Sequence, residues 1–142
     1  MPEALLPVLV ALAGGVGAVC RLLLDGAVSA WIARRGAPSS LPWGIIFVNL
    51  SGSLLIGAAA GLFAGAGVCG GASPCGPDSA AWPLALSFGL LGGYTTFSTA
   101  SFQTVQLARR GRWGAALLNG LGQLVVACAA VALGWALVQF VV

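Results

Sequence analysis

Near the middle of its third long apolar segment, the chain reads GGYTTFSTAS at residues 92–101. Two glycines followed by β-branched and hydroxyl-bearing residues form a poor helix. A break in a membrane-spanning helix frees main-chain N–H and C=O groups, which is tolerated only where protein or water satisfies them. We therefore predict a third helix that is broken near its middle. The alternative is a kinked helix that serves packing only.

A break of this kind has a specific chemistry. Freed carbonyl oxygens can coordinate a cation, whereas the N-terminus of the helix that resumes favours an anion. The hydroxyls of Ser98, Thr99 and Ser101 are able to replace part of an ion's hydration shell. The stretch therefore predicts ion handling at membrane depth.

The composition of the rest of the chain requires lipid as the solvent. Of its 142 residues, 59% are hydrophobic and 6% are charged, whereas a soluble domain carries about 25% charged residues. The net charge of +3 comes from arginines that lie mostly between apolar segments, which is typical of membrane topology signals and not of nucleic-acid binding. With no histidine and only three carboxylates, the sequence offers no catalytic constellation of an enzyme.

Four segments are long and apolar enough to cross the roughly 30 Å hydrocarbon layer as helices. They cover about residues 4–32, 43–67, 82–108 and 113–142. The predicted fold is an all-α membrane protein, a single four-helix transmembrane domain over residues 1–142. Tryptophans lie near the predicted span ends, where amphipathic rings favour the interface: Trp31, Trp43, Trp82 and Trp113.

The charges of the connecting loops predict an orientation. The first and third loops lie on one side of the membrane and carry Arg34, Arg35, Arg109, Arg110 and Arg112. The other side carries Glu3 and Asp78 and no arginine. Because basic loops stay in the cytoplasm, we predict a multi-pass protein of the inner or plasma membrane with both termini outside the cytoplasm.

Polar and small residues occur inside the spans. Asn49, in VNLSGS at residues 48–53, must line water or form hydrogen bonds between helices. Arg21 is either a functional charge or an arginine that snorkels to the interface, with Asp25 as a helical partner; we assign Arg21 and Ser101 structural roles. Glycines at four-residue spacing predict close helix approach, either within the chain or in an oligomer: Gly57, Gly61, Gly65, Gly89 and Gly93.

Three stretches of this sequence resemble the CrcB/Fluc fluoride channels. They are GGVGAVCR at residues 14–21, VNLSGS at 48–53 and GGYTTFSTAS at 92–101. They follow in the order and at the spacing of that family, and the likeness covers essentially the whole chain. The resemblance implies an antiparallel dimer with two narrow pores and a structural sodium ion at its interface. It also implies passive export of fluoride from the cytoplasm, with no reaction catalysed.

The resemblance also implies roles for particular residues. The main-chain carbonyls of Gly92 and Thr95 would hold the sodium ion. The fluoride pore would be lined by Asn49, Phe97, Ser98 and Thr99. The weakly positive edge of a phenyl ring and a series of weak donors suit a small, strongly hydrated anion that must not be trapped.

The chain departs from the family pattern at several positions. Ala100 stands where the family has a second phenylalanine, and Gln103 replaces a glutamate. Asn119 and Gln123 replace a tyrosine and a serine in the fourth helix. Because the strong arginine bias fixes one orientation, this chain cannot supply its own inverted partner. We therefore predict a heterodimer with a paralogous subunit of opposite loop charge, in which one pore lining is degenerate.

Two other functions are compatible with a small four-helix membrane protein. A small multidrug-resistance-type proton-coupled exporter is the alternative. It needs a membrane-embedded carboxylate, whereas Glu3, Asp25 and Asp78 lie near predicted span ends or in a loop, which argues against it. A non-conducting scaffold would explain the glycines but not the hydroxyl-rich third segment.

Cys69 and Cys75 either form a disulfide outside the cytoplasm or stay free, and Cys20 and Cys128 are expected to pack as small hydrophobic side chains.

Overall fold

The computed structural model describes residues 5–36, 41–65 and 81–141, and most of these residues lie in helices. The helices are α1 (Leu5–Arg34), α2 (Trp43–Gly65), α3 (Ala81–Tyr94), α4 (Phe97–Arg109) and α5 (Trp113–Leu117), then a π-helical segment (Leu118–Gly122) and α6 (Gln123–Val141). The predicted all-α class is confirmed. The third predicted span consists of α3 and α4, so its break is confirmed as well.

Among the residues that the structure describes, three helical runs are long and apolar enough to cross a membrane: Leu5–Arg34, Trp43–Phe63 and Trp113–Val141. Their outward faces carry large apolar side chains such as Leu23, which is 68% exposed, and Val125, which is 67% exposed. Surfaces of this kind are stable against acyl chains and not against water. The chain is a multi-pass membrane protein.

Helix α1 packs against α3 through glycines that leave no room for a side chain. A methyl group added at Gly93 would lie 2.7 Å from the carbonyl carbon of Gly14, and one added at Gly17 would lie 2.8 Å from the nitrogen of Tyr94. Gly89 lies equally close to Val10 of α1. The GGVG stretch of α1 therefore holds the helix that leads into the break.

Helix α2 packs against α6 in the same manner. Gly57 contacts the main chain of Val131, and Gly134 contacts the main chain of Leu54. Gly61 lies against Val138. The spaced glycines of α2 and α3 whose surroundings are described thus pack within the chain, which decides their role in favour of intramolecular packing; the surroundings of Gly65 lie outside the described side chains.

Basic turns end the first and third spans. Arg34, Arg35, Arg109, Arg110 and Arg112 are all exposed. The guanidinium of Arg35 stacks over the Trp31 ring at 3.9 Å from its centroid. Gly111 reverses the chain after α4 with a φ of 73°, a conformation suited to glycine. Both turns match the charge distribution behind the predicted orientation.

The cysteines divide into two groups. Cys20 and Cys128 are free thiols on the exposed surfaces of α1 and α6. Both lie within the apolar helices, as expected, and face outward from the bundle of this chain. Cys69, Cys75, Glu3 and Asp78 lie outside the described residues.

Candidate functional site

The third span changes from helix to extended chain at Thr95 and Thr96. The last helical bond of α3 runs from the nitrogen of Thr95 to the oxygen of Leu91 at 2.9 Å, and the Thr95 hydroxyl donates to the same oxygen at 3.0 Å. Thr96 then adopts φ −149° and ψ 123°, and α4 begins at Phe97. Two non-helical residues, of which Thr96 is extended, therefore separate two half-helices.

Asn49 of α2 pairs with this extended residue through both ends of its amide. The Thr96 nitrogen donates to Asn49 Oδ1 at 2.9 Å, and Asn49 Nδ2 donates to the Thr96 oxygen at 3.0 Å. The hydrogen-bonding interpretation of Asn49 is thus correct for the structure. An amide has two N–H groups, so one of them remains after these bonds.

A second bond from α2 fixes the end of α3. The hydroxyls of Ser51 and Tyr94 lie 2.8 Å apart, and Tyr94 is buried. Between these bonds Gly52 approaches so closely that an added methyl group would lie 3.0 Å from Cδ1 of Tyr94. One turn of α2, residues 49–52, therefore holds the end of α3 and the extended residue that follows it.

Several main-chain groups at the break have no main-chain partner. Within the described residues, no backbone N–H donates to the carbonyls of Gly92 or Thr95, and no backbone carbonyl accepts the N–H groups of Phe97 or Ser98 across the break. A methyl group added at Gly92 would meet nothing within 4 Å. The carbonyls assigned to a cation by the resemblance are therefore available for one.

The hydroxyls after the break form the N-terminal cap of α4. The Thr96 hydroxyl lies 3.2 Å from the Ser98 hydroxyl and donates to Thr99 Oγ1 at 3.4 Å. It also accepts the Thr99 N–H at 3.4 Å. The Phe97 ring projects outward and is 83% exposed. The start of α4 thus presents hydroxyls and amide N–H groups beside an exposed aromatic ring.

A cavity of about 660 Å³ opens between the break, α4 and the fourth span. Asn49, Phe97 and Ser101 line it together with Thr95 and Thr96. Ser98 and Thr99 do not line this cavity, and neither does Gly92. The structure therefore brings two of the four predicted pore residues to one cavity and places the other two on the capping turn of α4.

The π-helical segment of the fourth span was not predicted from the sequence. Leu118–Gly122 winds as a π-helix, a feature that often marks functional positions. Asn119 lies in this segment and is buried, with only 1% of its surface exposed. Two glycines within the five residues LNGLG were the signal, since they weaken an α-helix.

Asn119 is tied to α4 by its amide nitrogen alone. Nδ2 donates to the Ala100 oxygen at 3.1 Å and to the Thr104 hydroxyl at 2.7 Å. Because a carbonyl oxygen can only accept, this assignment leaves Oδ1 as the free end. Among the described residues, Asn119 Oδ1, Gln103 Oε1 and both amide ends of Gln123 are buried without a hydrogen-bond partner.

Ala100, which stands where the resemblance expects a second aromatic ring, is buried and lines the cavity. Phe102 does not replace that ring, since it is 62% exposed and absent from the cavity wall. The cavity is consequently wider at Ala100 than a phenylalanine would leave it.

Arg21 lies within α1 and is half-buried. No ion pair within 4.0 Å joins it to Asp25 in the described part of the chain. Asp25 instead lies against Gly44 at the start of α2, where a methyl group on the glycine would be 2.6 Å from the Asp25 carbonyl oxygen. The expected helical pair is therefore not formed.

Comparisons with known proteins give one consistent family. Residues 8–135 match the family model described as CrcB-like protein, Camphor Resistance (CrcB). A fluoride-specific ion channel FluC 1 from Leifsonia xyli subsp. xyli is 41% identical over 125 residues, which is 88% of this chain and 80% of that protein. A FluC 1 from Symbiobacterium thermophilum is 41% identical over 133 residues, covering 90% and 96%. A FluC from Agrobacterium fabrum is 40% identical over 129 residues, covering 91% and 92%.

Proposed function

The chain belongs to the CrcB-like family, and from this membership we propose that it is a subunit of a fluoride channel that lets fluoride leave the cytoplasm passively. Its relatives are named as fluoride-specific ion channels, and the proposed function involves no catalysed reaction. The observation that carries the proposal is the extended residue Thr96 between two half-helices of a membrane span.

The proposed anion pathway runs past the start of α4. Phe97 offers an exposed ring whose edge is weakly positive, and the free N–H groups of the first turn carry the positive end of the helix dipole. Asn49 lines the same cavity and keeps one amide N–H that its bonds to Thr96 do not use. Ser98 and Thr99 complete the proposed lining. Many weak donors in series are able to replace the hydration of fluoride without holding it.

A structural sodium ion fits the other end of the break. The carbonyls of Gly92 and Thr95 would hold it, since neither accepts a main-chain hydrogen bond in the described part of the chain. When bound, the ion would supply positive charge to carbonyl oxygens that have no main-chain donor at membrane depth. Two carbonyls do not replace a full hydration shell, so the site would be completed by a second subunit.

We place that second subunit antiparallel to this one and expect it to be a paralogue. A chain that inserts into the membrane in both orientations needs loops of balanced charge. The described turns of this chain instead carry five exposed arginines, all on one predicted side. Ala100 leaves one aromatic ring missing, and buried amide atoms face the cavity region without partners. A paralogous chain of opposite loop charge would supply both the orientation and the missing groups. The orientation with both termini outside the cytoplasm belongs to the same proposal.

Fluoride efflux from liposomes tests the function. The chain reconstituted together with its paralogue should release fluoride and retain chloride. The chain alone should release fluoride at a small fraction of that rate, because its inverted partner is missing. Full-rate efflux by the chain alone would contradict the heterodimer, and no efflux under either condition would contradict the channel.

Replacing Phe97 by Ile tests the pathway. The variant keeps the apolar volume but removes the positive ring edge, so fluoride efflux should fall to the level of protein-free liposomes. The matched control is Phe102→Ile on the same helix, whose ring is also exposed but does not line the cavity; it should keep its flux. Unchanged efflux by F97I would reduce Phe97 to a packing residue.

A further inference from the structure

We propose that Asn49 is a positioning residue that creates the free Gly92 carbonyl, and thereby the cation site at the break. The inference rests on the proposed function for the identity of the ion. We infer why the carbonyl is free: the Thr96 N–H, which would bond it in a continuous helix, is bound by a side chain of another helix.

The register of the third span gives the first step. In a continuous α-helix, the N–H of residue 96 would donate to the C=O of residue 92, four positions earlier. The preceding bond, from Thr95 to Leu91, is intact at 2.9 Å. The next one is missing because the Thr96 nitrogen donates to Asn49 Oδ1 at 2.9 Å. The helical ladder therefore stops at the residue that Asn49 contacts.

The other half of the Asn49 amide explains why Thr96 stays extended. Nδ2 donates to the Thr96 oxygen at 3.0 Å, so the side chain bonds the N–H and the C=O of one residue. A neighbouring strand bonds an extended residue in the same way. Return of Thr96 to helical dihedrals would break both bonds, and the Gly92 carbonyl thus stays without its N–H donor.

The position of Asn49 is itself well determined. The Ser51–Tyr94 hydroxyl bond at 2.8 Å and the close approach of Gly52 to Tyr94 and Thr95 fix α2 against the end of α3. Helix α2 therefore holds the Asn49 amide in a fixed position beside Thr96. Gly92 is exposed on the surface of this subunit, and a carbonyl without a partner is unfavourable at membrane depth, so a cation beside Gly92 offsets a cost that Asn49 imposes.

The test compares the sodium dependence of stability in three variants of the purified channel. Thermal unfolding is followed in sodium chloride and in N-methyl-D-glucamine chloride at equal ionic strength. The unaltered protein should unfold at a higher temperature in sodium, because binding to the folded state stabilises it. Asn49→Leu should lose this sodium-dependent rise, since the Thr96 N–H is free to return to Gly92. Asn49→Asp should keep part of the rise, since it retains an oxygen that accepts the Thr96 N–H but loses the N–H that donates to the Thr96 oxygen.

Ser53→Ala is the matched control, since Ser53 lies one turn further along α2 and lines the same cavity; it should keep the rise in full. A full sodium response in N49L, or its loss in a folded N49D, would overturn the role of Asn49. Where N49L gives no folded protein, Asn49→Ala replaces it with the same expected loss. A channel that carries fluoride but shows no sodium response overturns this inference alone, whereas a sodium response without fluoride efflux overturns the proposed function alone.

Discussion

Two membrane spans of this chain depart from the α-helix, and they treat their polar groups differently. In the third span, Asn49 pairs with both main-chain groups of the extended Thr96, and the Thr96 hydroxyl caps the next helix. In the fourth span, the π-helical segment buries Asn119 with one end of its amide unpaired. The first irregularity is supported by the chain's own side chains, whereas the second leaves polar atoms for another molecule.

This difference indicates which part of the site is preorganised. A satisfied polar network is rigid and specific, whereas a buried amide without partners is costly until water or a partner subunit supplies them. The break should therefore keep its geometry in the isolated subunit. The surface around Asn119 and Gln123 should reach its final form on assembly.

The largest effect on stability is expected from Gly93→Ala, which would push α3, the helix before the break, away from α1. The added methyl group would lie 2.7 Å from a main-chain atom of Gly14, so α1 and α3 must move apart. Overpacking against a backbone that cannot yield should cost about 3 kcal/mol of folding free energy. Unfolding in detergent measures this. Gly15→Ala on the outer face of α1 meets nothing within 4 Å and should be neutral or slightly stabilising, because alanine favours the helix more than glycine does; equal stability of the two variants would contradict the contact.

A smaller effect is expected from Thr96→Val, which removes the cap of α4 and keeps the shape of the side chain. The Thr99 N–H loses its acceptor, so stability should fall by about 1 kcal/mol. Thr95→Val should cost less, because the Leu91 oxygen that its hydroxyl contacts also accepts a main-chain N–H. Denaturant titration in sodium-free buffer compares the pair. An equal loss in both would show that capping does not stabilise α4.

The smallest effect on the isolated subunit is expected from Gln123→Leu. Both amide ends of Gln123 are buried without partners, and replacing such a group by an apolar one is nearly neutral or stabilising. We expect a change within about 0.5 kcal/mol in the isolated chain. Subunit association, measured by cross-linking or light scattering, should weaken. A stability loss like that of a satisfied core amide would place the missing partners within this chain.

The break could be predicted from sequence because its causes are local. The glycines and β-branched residues of GGYTTFSTAS disfavour helix whatever surrounds them. The partner of Thr96 could not be predicted in this way, since Asn49 lies 47 positions earlier and an asparagine suits many roles. The glycine spacing predicted close helix approach, but only the structure shows that Gly57 meets α6 and Gly93 meets α1.

The π-helical segment was the least predictable element. Its glycines weaken the helix, but the segment is stabilised by Asn119 reaching Ala100 and Thr104 of α4. Those contacts depend on how two spans are placed together, which the pattern of residues 118–122 does not contain. For the same reason, the free Oδ1 of Asn119 has no counterpart in the sequence analysis.

The π-helical turn also sets which faces of the fourth span point toward the neighbouring helices. Before the turn, Ala116 lies buried in the wall of the cavity beside α4; beyond it, Gly134 faces α2. Because successive α-helical residues are about 100° apart around the axis, a uniform helix of this sequence would swing the glycine away from α2. The wide turn absorbs that offset, so one continuous span serves two neighbours that require different orientations.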